Sequence, residues 1–228
     1  MEHQEYQLGD AASPKKKREL TLPTAIVVAG VIIALAILAK GGMSASAAPD
    51  ELDYATEIRA DDVIRGDSDA PITIIEYADF SCHFCAEYHP VLRRIVEESD
   101  GRVRWIYRDL PIFNIPAAVA GRCVARTAGD RAFWQFSDAL FANPEKRSDE
   151  YYQAMAVEAG AVAEAYRACA DDPLVESGVV SAFQTDRLLL GFSATPHTII
   201  VDKAGRTFSF SGALTYEMLT DALAAIIR

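Results

Sequence analysis

The stretch that most constrains this chain is Cys82-His83-Phe84-Cys85, which stands where a strand-like run gives way to a helix-like one. Upstream, Ile72 to Tyr77 reads ITIIEY. Its β-branched and aromatic residues predict a buried strand, interrupted by one acid, Glu76. Downstream, from about Phe84 to Glu98, Tyr88, Val91, Leu92, Ile95 and Val96 recur on one helical stripe. An Asp100-Gly101 turn signal then precedes VRWIY, Val103 to Tyr107, a second strand. Two strands flanking a helix make a βαβ unit, and such a crossover pairs its strands in parallel.

The rest of the exported part completes an α/β order. From about Pro116 to Leu190 the chain is rich in Ala, Leu, Glu and Arg at helical spacing, which predicts several short helices. Thr198 to Asp202 (TIIVD), a Lys203-Ala204-Gly205 turn and Thr207 to Phe210 (TFSF) predict an antiparallel hairpin, and Glu217 to Ile227 a closing helix. The sum is one α/β domain over 62–228, with a helical insertion at about 115–190.

Ahead of it, Leu22 to Ala39 is almost wholly apolar and close to the shortest length that spans a bilayer as a helix. Lys15, Lys16, Lys17 and Arg18 precede this run and only Lys40 closely follows, a bias that keeps the N-terminus in the cytoplasm. The expected division is a basic cytoplasmic tail at 1–20, a transmembrane anchor or signal segment at 21–40, and a tether at 41–61. Ala45-Ser46-Ala47 resembles a signal-peptidase site, so a cleaved signal competes with the favoured anchor. Either route puts the domain outside the cytoplasm; with the anchor, it is the C-terminal part of a single-pass membrane protein. The net charge of −11, with basic residues of the domain scattered among acids, argues against nucleic-acid binding.

The cysteine spacing carries the chemistry. A helix N-terminus stabilises a thiolate and can bring a Cys pKa to roughly 3.5–7.5 from about 8.5. Cys82 is therefore the expected nucleophile, and Cys85, one turn on, the resolving thiol. A zinc half-site is the competing reading, but Cys123 and Cys169 form no second short-spaced knuckle. No metal is expected, and no cofactor beyond the redox-active Cys82-Cys85 disulfide. A purely structural disulfide across two residues would stabilise little. Glu76, if buried, would have a raised pKa and could exchange a proton with the resolving thiol; at an edge it would simply face water. His83 either stabilises the thiolate when protonated or points into solvent. Thr195-Pro196 precedes the hairpin, and most such bonds are trans.

In DDVIRGDSDAPITIIEYADFSCHFC, RAFWQFSDALF and ATPHTIIVDKAGRTFSFSGA, taken in order from about residue 60 to the C-terminus, the chain resembles the DsbA-like branch of the thioredoxin superfamily. The resemblance implies a thioredoxin fold with an inserted helical subdomain, Cys82 as nucleophile, Cys85 as its partner and Glu76 as the buried acid. It also implies a cis-proline loop at Thr195-Pro196 facing the disulfide, with Thr195 holding substrate backbone. The implied activity is protein thiol-disulfide exchange with exported client proteins, recharged by a membrane or small-molecule redox partner. Oxidation of clients leads; a reductase or isomerase, or a peptide-binding chaperone module, are the alternatives. The best-known members carry Pro-His between the cysteines, where this chain has His83-Phe84, so their oxidising strength does not carry over. Cys123 and Cys169 are read as a structural disulfide in preference to two buried thiols.

Overall fold

The computed structural model describes residues 51–227. In chain order they form α1 (Glu51–Thr56), β1 (Val63–Arg65), β2 (Ile72–Ala78), α2 (His83–Glu97), β3 (Val103–Asp109), α3 (Ile115–Phe141), α4 (Asp149–Glu158), α5 (Ala163–Ala170), α6 (Pro173–Leu190), β4 (His197–Val201), β5 (Thr207–Ser211) and α7 (Tyr216–Ile227). The sheet order is β1-β3-β2-β4-β5, with β2 and β3 parallel and the other pairs antiparallel. This is the thioredoxin-like α/β arrangement with its helical insertion, α3 to α6, between β3 and β4.

β2 lies at the centre and all seven of its residues are buried, so both faces of the strand meet core. Ile72, Ile74 and Ala78 face the cluster that holds Tyr88 and Leu92 of α2, Leu219 and Leu223 of α7, and the aromatic residues of α3. Ile75 and Tyr77 face the opposite cluster with Ile106, Ile199 and Ala55. The two-residue period of a strand thus sends alternate side chains to two separate layers. α2 buries Cys85, Tyr88, His89, Leu92, Ile95 and Val96 along one stripe, as the spacing predicts. It stops where Asp100 and Gly101 turn to positive φ.

α3 begins on an Asn114 cap, whose side chain accepts from the Ala117 amide, with Pro116 in its first turn. It kinks at Gly129 (φ 82°, ψ 178°), a backbone conformation that favours glycine, and this is where the sequence separates two short helical patterns. Cys123 of α3 and Cys169 of α5 are joined by a disulfide, with an S–S distance of 2.01 Å and a Cα–Cα distance of 5.7 Å.

Two elements go beyond the sequence expectations. β1 has three residues, too few for a strand pattern, and pairs with β3. The segment read as a tether carries α1 at its end, docked on the domain. Buried Arg108 donates to both carboxylate oxygens of Asp62 (2.9 and 2.8 Å) and to the Ala55 carbonyl (2.8 Å), and Tyr54 donates to Asp186 (2.9 Å). Those partners come from distant parts of the chain, so no local pattern marks the docking. No helix among the described residues is long and apolar enough to cross a membrane, and the run from Leu22 to Ala39 lies outside them.

Candidate active site

The loop from β2 to α2 is held on three sides. The Asp79 carboxylate accepts from the amides of Ser81 (2.7 Å), Phe113 (2.6 Å) and Asn114 (3.3 Å). Asn114 donates to the Ser81 hydroxyl (2.8 Å), and Arg147 to the Ser81 carbonyl (3.0 Å). Phe80 is buried among Tyr107, Phe136 and Phe141. The residue before Cys82 is thereby pinned to the insertion. Sequence reasoning missed Asp79, Asn114 and Arg147. The first two carry a local signal, an Asp two residues before a Ser and an Asn before Ile-Pro, but their meeting is a tertiary event.

Cys82 is the N-cap of α2, at φ −83° and ψ 122°. It is a free thiol, 5% exposed, and so is Cys85, which is fully buried at 0%. The Cys82 thiol is pulled from 9.0 down to about 5, first by the Cys85 thiol, which donates to it. Burial opposes this, while Thr195 and the amides of Phe84 and Cys85 reinforce it. In the thiol form, Cys82 Sγ donates to the Thr195 carbonyl (3.4 Å). The Thr195 hydroxyl, buried without a partner, is the group that can donate to a thiolate instead. Cys85 moves the opposite way: burial, then the Cys82 hydrogen bond, then the Glu76 charge push its pKa far up.

Glu76 is 0% exposed on the α2 face of the sheet, and neither carboxylate oxygen has a hydrogen-bond partner. Burial pushes it from 4.5 up to about 8, with the Trp105 indole pulling the other way without meeting full hydrogen-bond geometry and the Cys82 charge adding to the rise. At neutral pH the acid is therefore mostly protonated, and in its ionised form its charge disfavours a Cys85 thiolate.

The Thr195-Pro196 peptide is cis, and both residues are buried beside Cys82. His83 and Phe84 point away from the sulfurs' buried side. Phe84 is 59% exposed, and His83 Nε2 lies 3.0 Å from Glu87 Oε1, an exposed pair one turn along the helix. Cys85, Thr195 and the amides at the helix terminus lower the Cys82 pKa. Cys123 and Cys169 lie in the insertion as a separate pair. Among the described residues, no group of three or more His, Cys, Asp or Glu could hold a metal ion. A cavity of about 660 Å³, lined by Tyr54, Arg59, Arg108, Asp109, Arg122 and Asp186 among others, includes none of the residues at the cysteine pair.

The family model described as thioredoxin matches residues 59–225. The chain belongs to the thioredoxin family. Within it the fold is DsbA-like: Pseudomonas aeruginosa DsbA2 superposes with a TM-score of 0.59 at 27% identity, over 75% of this chain and 96% of that one. A probable disulfide bond formation protein D of Bacillus cereus is 27% identical over 135 residues, 55% of this chain and 62% of that protein. A Na(+)/H(+) antiporter NhaA 1 of Salinispora arenicola is 36% identical over 84 residues, 36% of this chain. That match spans 13% of the antiporter's length.

Proposed function

We propose that the protein is an extracytoplasmic thiol-disulfide oxidoreductase that oxidises cysteines of exported client proteins through Cys82 and Cys85. The observation that carries this reading is the split between the two sulfurs: Cys82 drawn down to about 5 at the helix N-terminus, Cys85 buried behind it and pushed up. A pair whose reduced form holds a stabilised thiolate favours reduction of its own disulfide, which makes that disulfide an oxidant.

In the forward reaction a client thiolate attacks Cys82 Sγ of the Cys82-Cys85 disulfide. The S–S bond breaks and Cys85 leaves with the electron pair, taking the proton that neutral Glu76 carries. A second client thiolate then attacks the client sulfur bonded to Cys82 in the mixed disulfide, and Cys82 leaves as a thiolate. The client gains a disulfide, the pair gains two electrons, and a membrane or small-molecule redox partner removes them. Thr195 holds client backbone beside the reacting sulfur. The run Leu22 to Ala39 anchors the domain to the membrane, with the tether ending where α1 docks.

Equilibration of the full chain against glutathione, with titration of Cys82, tests this. The expected result is a potential well above the value of about −270 mV typical of thioredoxin, with Cys82 ionised at pH 7. A potential at or below that value assigns the protein to the reductants instead.

A further inference from the structure

Among the buried polar groups of the sheet that lack a hydrogen-bond partner, two on its α2 face have complementary chemistries. Glu76 presents two acceptor oxygens, and Trp105 presents Nε1, which can only donate. Trp105 is opposite Ile74 in the parallel β2–β3 register and Tyr107 is opposite Glu76, so Trp105 and Glu76 are diagonal neighbours on one face. A buried N–H without a partner calls for a reason.

The indole is also held. Trp134 packs on it at 4.4 Å and His89 edge-on at 4.9 Å between centroids, with Arg65 over both tryptophan rings at 5.9 and 5.1 Å. His89 and Arg65 are themselves tied to Asp138, at 2.6 Å and through two bonds of 2.9 Å. The neighbouring hydroxyls are engaged: Tyr107 donates to the Ala78 carbonyl (3.3 Å), and Thr198 donates to the Tyr88 hydroxyl (3.4 Å). The titratable groups around Glu76 are Cys82 and Cys85 at the start of α2, Tyr88 one turn on, and Tyr107 of β3. β4 adds Thr198, opposite Glu76.

We propose that Trp105 is the positioning residue of Glu76: its indole N–H donates to the carboxylate once the acid has given up its proton, and holds the charged form in place. The proposal rests on the redox reading above and deepens it. Trp105 acts through Glu76. When Glu76 protonates Cys85, the new carboxylate has one buried donor waiting, and when Glu76 is reprotonated that donor is released again.

Trp105→Phe keeps a ring in the packing and removes the N–H. In the full chain, reoxidation of the reduced pair, in which ionised Glu76 takes the Cys85 proton, should shift its pH profile to alkaline pH by about one unit, hence run about tenfold slower near pH 7, and recover at high pH. An independent readout uses fluorescence. The sequence holds 2 tryptophans, so Trp134→Phe leaves Trp105 alone. In the oxidised protein, where the cysteines do not titrate, its emission should change with a midpoint that burial holds above 4.5 and that lies below the reduced form's because the Cys82 charge is gone, and stop changing when Glu76→Gln is added. If Trp134→Phe does not fold, wild-type protein compared with Glu76→Gln reads the same titration. An emission that ignores Glu76, or a Trp105→Phe profile that overlays wild type while Glu76→Gln moves it, overturns the proposal and leaves the redox reading standing. Absence of any thiol exchange by the wild-type protein overturns the redox reading, and the emission titration still decides the Glu76–Trp105 bond.

Discussion

The two cysteine pairs of this domain are chemically identical and physically opposite. Cys123 and Cys169 join two helices of the insertion, 46 residues apart, as a disulfide. Cys82 and Cys85 are free thiols on one helical turn, with amides at Cys82 and an unpaired acid behind Cys85. The first pair closes a long loop, where a cross-link restricts the unfolded chain most; the second closes almost none, so its bond contributes little to folding and is free to turn over. What separates a structural disulfide from a reactive one here is loop length and local field.

The sharpest way to break that contrast is to exchange the losses. Cys82→Ala should abolish thiol exchange in a client-oxidation assay with little change in the unfolding midpoint of the reduced domain at pH below about 5, where the thiolate no longer contributes, whereas Cys123→Ala with Cys169→Ala should keep the exchange rate. Next in size is the pH response of the reactive pair. Cys82 is depressed on folding, so its thiolate contributes stability that is present above 9.0 and lost as pH falls through about 5. The reduced protein should therefore gain on the oxidised one by at most about 1.4 kcal/mol per pH unit across that window, measured by denaturant unfolding of both forms. A flat difference would remove the thiolate from the account.

The insertion disulfide gives the third effect: the chain-entropy relation puts its loss at about 4 kcal/mol, read from the same unfolding curves. Glu76 supplies the fourth. Its pKa is raised on folding, so the neutral acid contributes stability that is present below 4.5 and lost as pH rises through about 8. Oxidised protein, free of thiol titration, should show that falling slope, and Glu76→Gln should flatten it while slowing exchange near neutral pH by roughly tenfold.

Much of the framework was legible because it is written in local periodicity. ITIIEY, the stripe after Phe84, VRWIY and the TIIVD–TFSF hairpin each form within two or three residues of the expected bounds. The helical insertion follows the same logic, down to the break at Gly129. β1 and α1 were not legible, since three residues of strand show no period and α1 is held by Arg108 and Asp186 from elsewhere in the chain. His83 shows the other limit: its place between the cysteines invites a role at the thiolate, while its contact with Glu87, one turn on at 3.0 Å, appears only in the fold.

By itself the sequence determined the order strand, Cys82-His83-Phe84-Cys85, helix, because hydrophobic period and helix capping are properties of neighbouring residues. Only the tertiary structure decided the state of each group. Thr195 reaches Cys82 across 113 residues of chain, Glu76 is left without a partner because β3, β4 and α2 close over it, and Cys123 finds Cys169 because α3 and α5 pack. A pKa depends on the solvent a group loses and the charges and donors it meets, and distant segments supply all three.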